Sequence, residues 1–135
     1  MSKYKIPVKS IISHKSRKII SDWAEYCSGI ESLVLFLSSK FGIDCTKDRE
    51  IIQSFDRDSS NIHGHAEALF RPINDYECAL ILTSCQQSKI PVTISAGRTN
   101  LTGSATPVFG VILSIERMTT PKIQVNMKSQ TITAP

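Results

Sequence analysis

Between Ala68 and Ile94 the hydrophobic period of the sequence changes twice, and that succession restricts the fold more than any other stretch. Ala68 to Phe70 is a short apolar run stopped by Arg71 and Pro72. Asn74 then stands three residues before Glu77, the signature of a capping box in which the first side chain accepts from the amide of the second residue. Cys78, Ile81, Leu82 and Cys85 follow at i, i+3, i+4 and i+7, which places them together on one expected core face of a helix. Ile90 to Ile94 is short and β-branched, as a strand would be. A strand, a helix of about four turns and a second strand form a crossover unit, with parallel strands and a right-handed connection. Helices must cover such a sheet, so the expected class is α/β in the broad sense, with helical and sheet elements in one chain.

The covering helices are legible upstream. Ile20, Trp23, Ala24 and Cys27 recur at helical spacing, after a lead-in of about 15 residues with no strong period. Ser28 and Gly29 interrupt the stripe. Ile30, Leu33, Val34, Leu37 and Phe41 then repeat it up to Gly42, a residue suited to a helix C-terminal cap. Thr46 is a plausible N-cap for a shorter third helix carrying Ile51, Ile52 and Phe55, and the polar stretch from Asp56 to His65 reads as a connection. Past the crossover unit, Val111 to Ile115 is another strand. Ile123, Val125 and Met127 alternate, Lys128 to Gln130 supply a turn, and Thr131 to Thr133 can pair back as a hairpin. The expected division is a helical region over 1–45 and a second region over 46–135.

Composition narrows the classes of function. The longest unbroken apolar run, Leu33 to Leu37, is far too short to span a bilayer, and the N-terminus lacks the pattern of a secretory signal. The chain is expected in the cytoplasm, which is compatible with peripheral attachment of a parent protein to the inner membrane face. Cys27, Cys45, Cys78 and Cys85 match neither a zinc pair nor a redox CxxC, and read as free, mostly buried thiols with no metal. The net charge is +4, and Lys3, Lys5, Lys9, Lys15, Arg17 and Lys18 all precede the first acid, Asp22. That basic front favours a solvated arm; the alternative is a small basic helical module binding nucleic acid or a partner protein. Against nucleic acid, the aromatics Tyr4, Trp23, Tyr26, Phe36, Phe41, Phe55, Phe70, Tyr76 and Phe109 are scattered, fall mostly on expected core positions and form no stacking platform. His14, His63 and His65 read as surface or connection residues.

Chemistry is concentrated in residues 91–107, where small residues follow a strand directly in a long turn. Such residues let a ligand approach the backbone. Successive amides of a turn, helped by the hydroxyls of Ser95, Thr99 and Thr102, can hold the oxygens of a diphosphate, and Arg98 either adds a positive charge or points to solvent. Neither the Walker loop nor the Rossmann GxGxxG spacing is present.

The strand ending in Arg71-Pro72, the helix from Asn74 running on to Ser88-Lys89-Ile90-Pro91-Val92, the loop Ala96-Gly97-Arg98-Thr99-Asn100-Leu101-Thr102-Gly103 and the segment from Gly110 to Met118 occur in a telling order. Over residues 66–134 this order resembles the first half of the flavin domain of the vanillyl-alcohol oxidase and para-cresol methylhydroxylase family. The glycolate and D-lactate dehydrogenase branch is the most similar in look, and Arg57-Asp58 before the first strand extends the likeness more loosely over 46–65. The resemblance implies noncovalent FAD with its diphosphate on Ser95, Ala96, Gly97, Arg98, Thr99, Asn100, Leu101, Thr102 and Gly103. It also implies a parent FAD-linked oxidoreductase, acting on a 2-hydroxy acid, in which hydride passes from substrate to flavin.

Two departures accompany it. Ala96, Arg98, Asn100 and Ser104 stand where many members have glycine, and Arg98 stands where some attach flavin through histidine. In that family the flavin domain continues past the position of Pro135. The chain is therefore expected to be an inactive fragment with no catalytic residue of its own. The other half of the flavin domain, or a second chain supplying it, is its expected partner, and self-association through Val111 to Thr133 is expected of the exposed sheet.

Overall fold

The computed structural model describes residues 11–134. Lys3, Tyr4, Lys5 and Lys9 of the basic front, and Pro135, lie outside them. Helices α1 (His14–Ala24) and α2 (Ile30–Phe41) come first, then β1 (Cys45–Thr46), α3 (Arg49–Gln53), β2 (Ala68–Phe70), α4 (Asp75–Ser88), β3 (Val92–Ser95), β4 (Val111–Ser114) and the strands β5 (Gln124–Asn126) and β6 (Thr131–Thr133). The fold is mixed α/β. The main sheet has the order β1-β2-β4-β3, with β2, β4 and β3 parallel and β1 antiparallel at one edge. The expected crossover unit is present, but its two strands are not neighbours: β4, the last of the three in the chain, lies between them. The hairpin β5–β6 forms with Gln124 opposite Thr133.

Both faces of the sheet are covered, which is why β4 is apolar at Val111, Ile112 and Leu113 in succession rather than alternating. Ala68, Phe70, Val111 and Leu113 face one way and pack with Ile20 of α1, Leu33 and Leu37 of α2, and Leu80, Ile81 and Cys85 of α4. Leu69 and Ile112 face the other way and pack with Ile52, Phe55 and Ala66. Each fully buried side chain of this size contributes about 1.5–3 kcal/mol. At the rim of the larger core, Trp23 stacks on Phe36 with ring centroids 4.2 Å apart.

Local signals account for most helix ends. Gly42 caps α2 at φ 67, in the left-handed region where the absence of a Cβ costs nothing. Asn74 accepts from the Glu77 amide at 2.9 Å, while Glu77 reaches back to the amide of Ile73. Three expectations need correction. The cap of α3 is Asp48, whose carboxylate accepts from the amides of Glu50 and Ile51; Thr46 belongs to β1 and its hydroxyl accepts from the Asp48 amide. Leu82 is exposed, and α4 turns Leu80 and Ser84 inward instead, because the helix packs between α1 and the sheet rather than along one narrow stripe. Helix α1 begins at His14 with Ser13 as its cap and ends before Cys27.

All four cysteines are free, with Cys85 buried and the other three half-buried. Burial, with Cys27 nearby, pushes the Cys85 thiol up to about 12, and burial likewise raises Cys45 and Cys78. These thiols are poor nucleophiles at neutral pH.

Ser84 is fully buried and its hydroxyl has no hydrogen-bond partner among the described residues. A buried polar group left unpaired costs about 1–3 kcal/mol, and alanine is also the better helix former. Ser84→Ala is expected to raise the midpoint of thermal unfolding by about 2–4 °C, as followed by circular dichroism. A lowered midpoint would show that the hydroxyl is paired in solution.

Candidate functional site

Strands β2, β4 and β3 run parallel, so their carboxyl ends lie along one edge of the sheet. In open α/β sheets this is the edge beside which ligands bind. The long turn from Ala96 to Gly110 leaves β3 at that edge and returns the chain to the start of β4.

The turn is laced to the connection that precedes β2. Asp58, 8% exposed, is the hub. Its Oδ1 accepts from the Ser60 amide at 2.9 Å and from the Ser60 hydroxyl; its Oδ2 accepts from Asn100 Nδ2 at 2.5 Å and from the Ala105 amide at 3.3 Å. The amide and hydroxyl of Ser59 both donate to the Arg98 carbonyl at 3.0 Å. Farther along, the His65 amide donates to the Pro107 carbonyl at 2.8 Å. A Cβ on Gly64 would sit 2.4 Å from that same carbonyl oxygen, so only glycine lets the two segments approach this closely. The seam between them opens into a groove of about 430 Å³ beside Ile62, His63, Thr102 and Val108.

Held in this way, the turn divides its side chains. Ala96, Gly97, Thr99, Leu101 and Thr102 are exposed, while Arg98, Asn100 and Gly103 are half-buried. Asn100 is occupied by Asp58, Ser104 and Thr102. Gly103 takes φ 75. Arg98 neither points to solvent nor reaches over the turn: its guanidinium lies 4.5 Å from the centre of the Phe55 ring. None of the backbone amides from Ala96 to Ser104 donates to an acceptor among the described residues. Gly97 has nothing closer to its would-be Cβ than a methyl of Thr99 at 3.8 Å and no left-handed backbone. No neighbour or backbone requirement demands glycine there; what its missing side chain leaves is bare backbone open to a ligand.

Ser95 and Ser114 are register partners at the ends of β3 and β4, both fully buried, and neither hydroxyl has a hydrogen-bond partner among the described residues. By the alternation of strand residues they face the same side as Ile112, the side of Phe55 and Arg98. Unpaired polar atoms therefore gather beneath the turn. This suits a loop whose full set of partners includes a polar ligand. Beside them, Asp44 ties β1 to the same edge, pairing with Arg117 Nη1 and lying 3.0 Å from Arg71 Nε.

Sequence reasoning located the turn but missed its anchor. Arg57-Asp58 stood out only through a resemblance. The physical signal was Asp58-Ser59-Ser60 itself, a run in which a short carboxylate folds back on the amide two residues ahead.

Hydrogen bonding from the Ser60 hydroxyl, opposed by burial and aided by the Ser60 and Ala105 amides and Asn100, lowers the Asp58 carboxyl from 3.8 to about 2. A depressed folded-state value means that the contribution of Asp58 is complete above about pH 4 and is lost as pH falls from there towards 2. Exchange of the Ser60 and Ala105 amides, which both donate to Asp58, corrected for intrinsic rates, is expected to stay constant from pH 7 to about 4 and to accelerate below it. Asp58→Asn is expected to loosen the turn at neutral pH and to erase that acid step. A carboxyl carbon of Asp58 titrating at its ordinary value in an NMR experiment would contradict the anchor.

Among the described residues no helix is long and apolar enough to cross a membrane. No family model matches the chain. Over 72 residues, 51% of this chain and 15% of the relative, it is 38% identical to a D-lactate dehydrogenase of Anaerostipes hadrus. The chain thus spans only a small part of the length of that curated relative.

Proposed function

We propose that this chain supplies the diphosphate-holding turn of an FAD-linked oxidoreductase, with residues 46–135 as the first half of its flavin domain. One observation carries the reading: from Ala96 to Ser104 the turn presents amides with no acceptor among the described residues, while Asp58, Ser59 and Ser60 fix its shape from behind. A turn held rigid without using its own amides is prepared for an anion with several oxygens. The likeness to a D-lactate dehydrogenase supports an oxidoreductase parent and a 2-hydroxy acid as the substrate class.

The residues fit the group. The backbone around Gly97 is open, Thr99 and Thr102 add exposed hydroxyls, and the turn itself contains no histidine through which a flavin could be attached. When bound, FAD supplies the hydride chemistry. This chain's part is to hold and orient the diphosphate; the wall facing the flavin ring and the groups that touch substrate come from further chain or a second subunit. The exposed Ile123, Val125, Met127 and Ile132 of the hairpin and its approach are where such a partner, or a second copy, is expected to pack.

The test is an amide-resolved NMR titration with FAD, which reads weak binding as well as strong. The expected result is saturable shifts concentrated in residues 95–104 and opposed by salt. Shifts confined to other parts of the chain, or none at all, would sink the reading.

A further inference from the structure

Arg98 is held in a way that a solvent-facing arginine is not. Its backbone lies at φ 53, in the left-handed region that non-glycine residues seldom adopt. Its carbonyl is gripped twice by Ser59. Its guanidinium rests on the face of Phe55, which is itself 8% exposed and packed with Ile52, Ala66, Leu69 and Ile112. Yet Nη1 of that guanidinium is buried with no acceptor among the described residues. A cation on an aromatic face is stabilised, whereas a buried donor without an acceptor is penalised by an amount of similar size. The parked arrangement is therefore held by a narrow margin.

An oxygen of a bound anion cannot reach Nη1 where it lies, because the atom is shielded from solvent. To pair with an anion through Nη1, the side chain must come out to meet it. The backbone need not change, since Ser59 holds the carbonyl and only side-chain torsions have to rotate. We propose that Arg98 is a ligand-operated latch, parked on Phe55 in the free chain and released to pair with phosphate oxygens when a diphosphate occupies the turn. The proposal rests on the reading of the turn as a diphosphate site. It adds a residue that selects for charge: a planar guanidinium gains paired, charge-assisted bonds from a diphosphate that a neutral or singly charged ligand does not repay.

Inorganic pyrophosphate and FAD are the two probes, each titrated into the full chain labelled with ¹⁵N. In the free chain the Arg98 Nε–Hε resonance is expected to carry the upfield ring-current shift of Phe55, and saturation with pyrophosphate is expected to remove it. Arg98→Gln should weaken pyrophosphate about tenfold and flatten its salt dependence. Phe55→Leu, which removes the parking place, should strengthen binding roughly threefold. Should that variant fail to fold, the resonance in the unaltered chain still decides. The latch is overturned if the ring-current shift persists at saturation, if Arg98→Gln binds pyrophosphate like the unaltered chain, or if pyrophosphate does not bind. FAD separates the two readings: FAD bound equally by the unaltered chain and Arg98→Gln removes the latch and leaves the flavin site, whereas a pyrophosphate-driven release of Arg98 with no gain from the rest of FAD keeps the latch and removes the flavin.

Discussion

Gly97→Asp is expected to leave the fold intact and to weaken flavin or pyrophosphate binding by about 100-fold or more. Gly97 lies outside the left-handed region and a Cβ there meets nothing closer than 3.8 Å, so an aspartate can be built without moving the backbone. Its carboxylate would then occupy the open side of the turn, among the amides that have no other partner. A like charge set against a bound diphosphate costs several kcal/mol, and each 1.4 kcal/mol is about a factor of ten in affinity. Gly97→Ala serves as the steric control and should lose far less. The check is a fluorescence or calorimetric titration of each variant beside its thermal unfolding curve. Unchanged affinity in a folded aspartate variant would place the ligand somewhere else.

Gly110→Ala is expected to have the opposite profile, a loss of the fold itself. Gly110 takes φ 90, and a Cβ on it would sit 2.3 Å from the Pro91 carbonyl oxygen. The obstructing atom is backbone, so no side chain can swing aside. That carbonyl also accepts from the amide of Val111, while the Gly110 carbonyl accepts from the amide of Glu67, so the clash falls where the start of β4 is joined to the chain on both sides of it. Left-handed strain and forced separation of paired backbone together are expected to cost about 3–5 kcal/mol, a large share of the stability of a domain this size. Denaturant unfolding at equilibrium measures it. A loss below about 1 kcal/mol would mean that the strands can shift apart cheaply.

What could be read from the sequence was what is decided locally. The Asn74 cap, the left-handed end at Gly42 and the turn between β5 and β6 each depend on residues within a few positions of one another. Strand β1 could not be read, since two residues carry no period and their pairing is set by Leu69 and Phe70 across the sheet. The same holds for the site. Small polar residues marked the turn, but its anchor joins Asp58 to Asn100 across 42 positions, and the direction of Arg98 depends on a phenylalanine in another element. Leu82 and Leu80 exchanged places because helical spacing allows two neighbouring stripes, and packing against α1 chooses between them.

The place of β4 has a consequence for how the molecule is made. Of the three parallel strands it is the last to be synthesised, yet it is the one that the other two pair with. Until Val111 to Ser114 have left the ribosome, β2 and β3 have no parallel partner, and α4 has no completed surface to lie on. The helices can gather early, but the sheet closes in one late step, by insertion of a fully buried strand between two waiting edges. During that interval the nascent chain shows its unpaired edges to its surroundings, and the turn that carries the amides is shaped only once β4 is home.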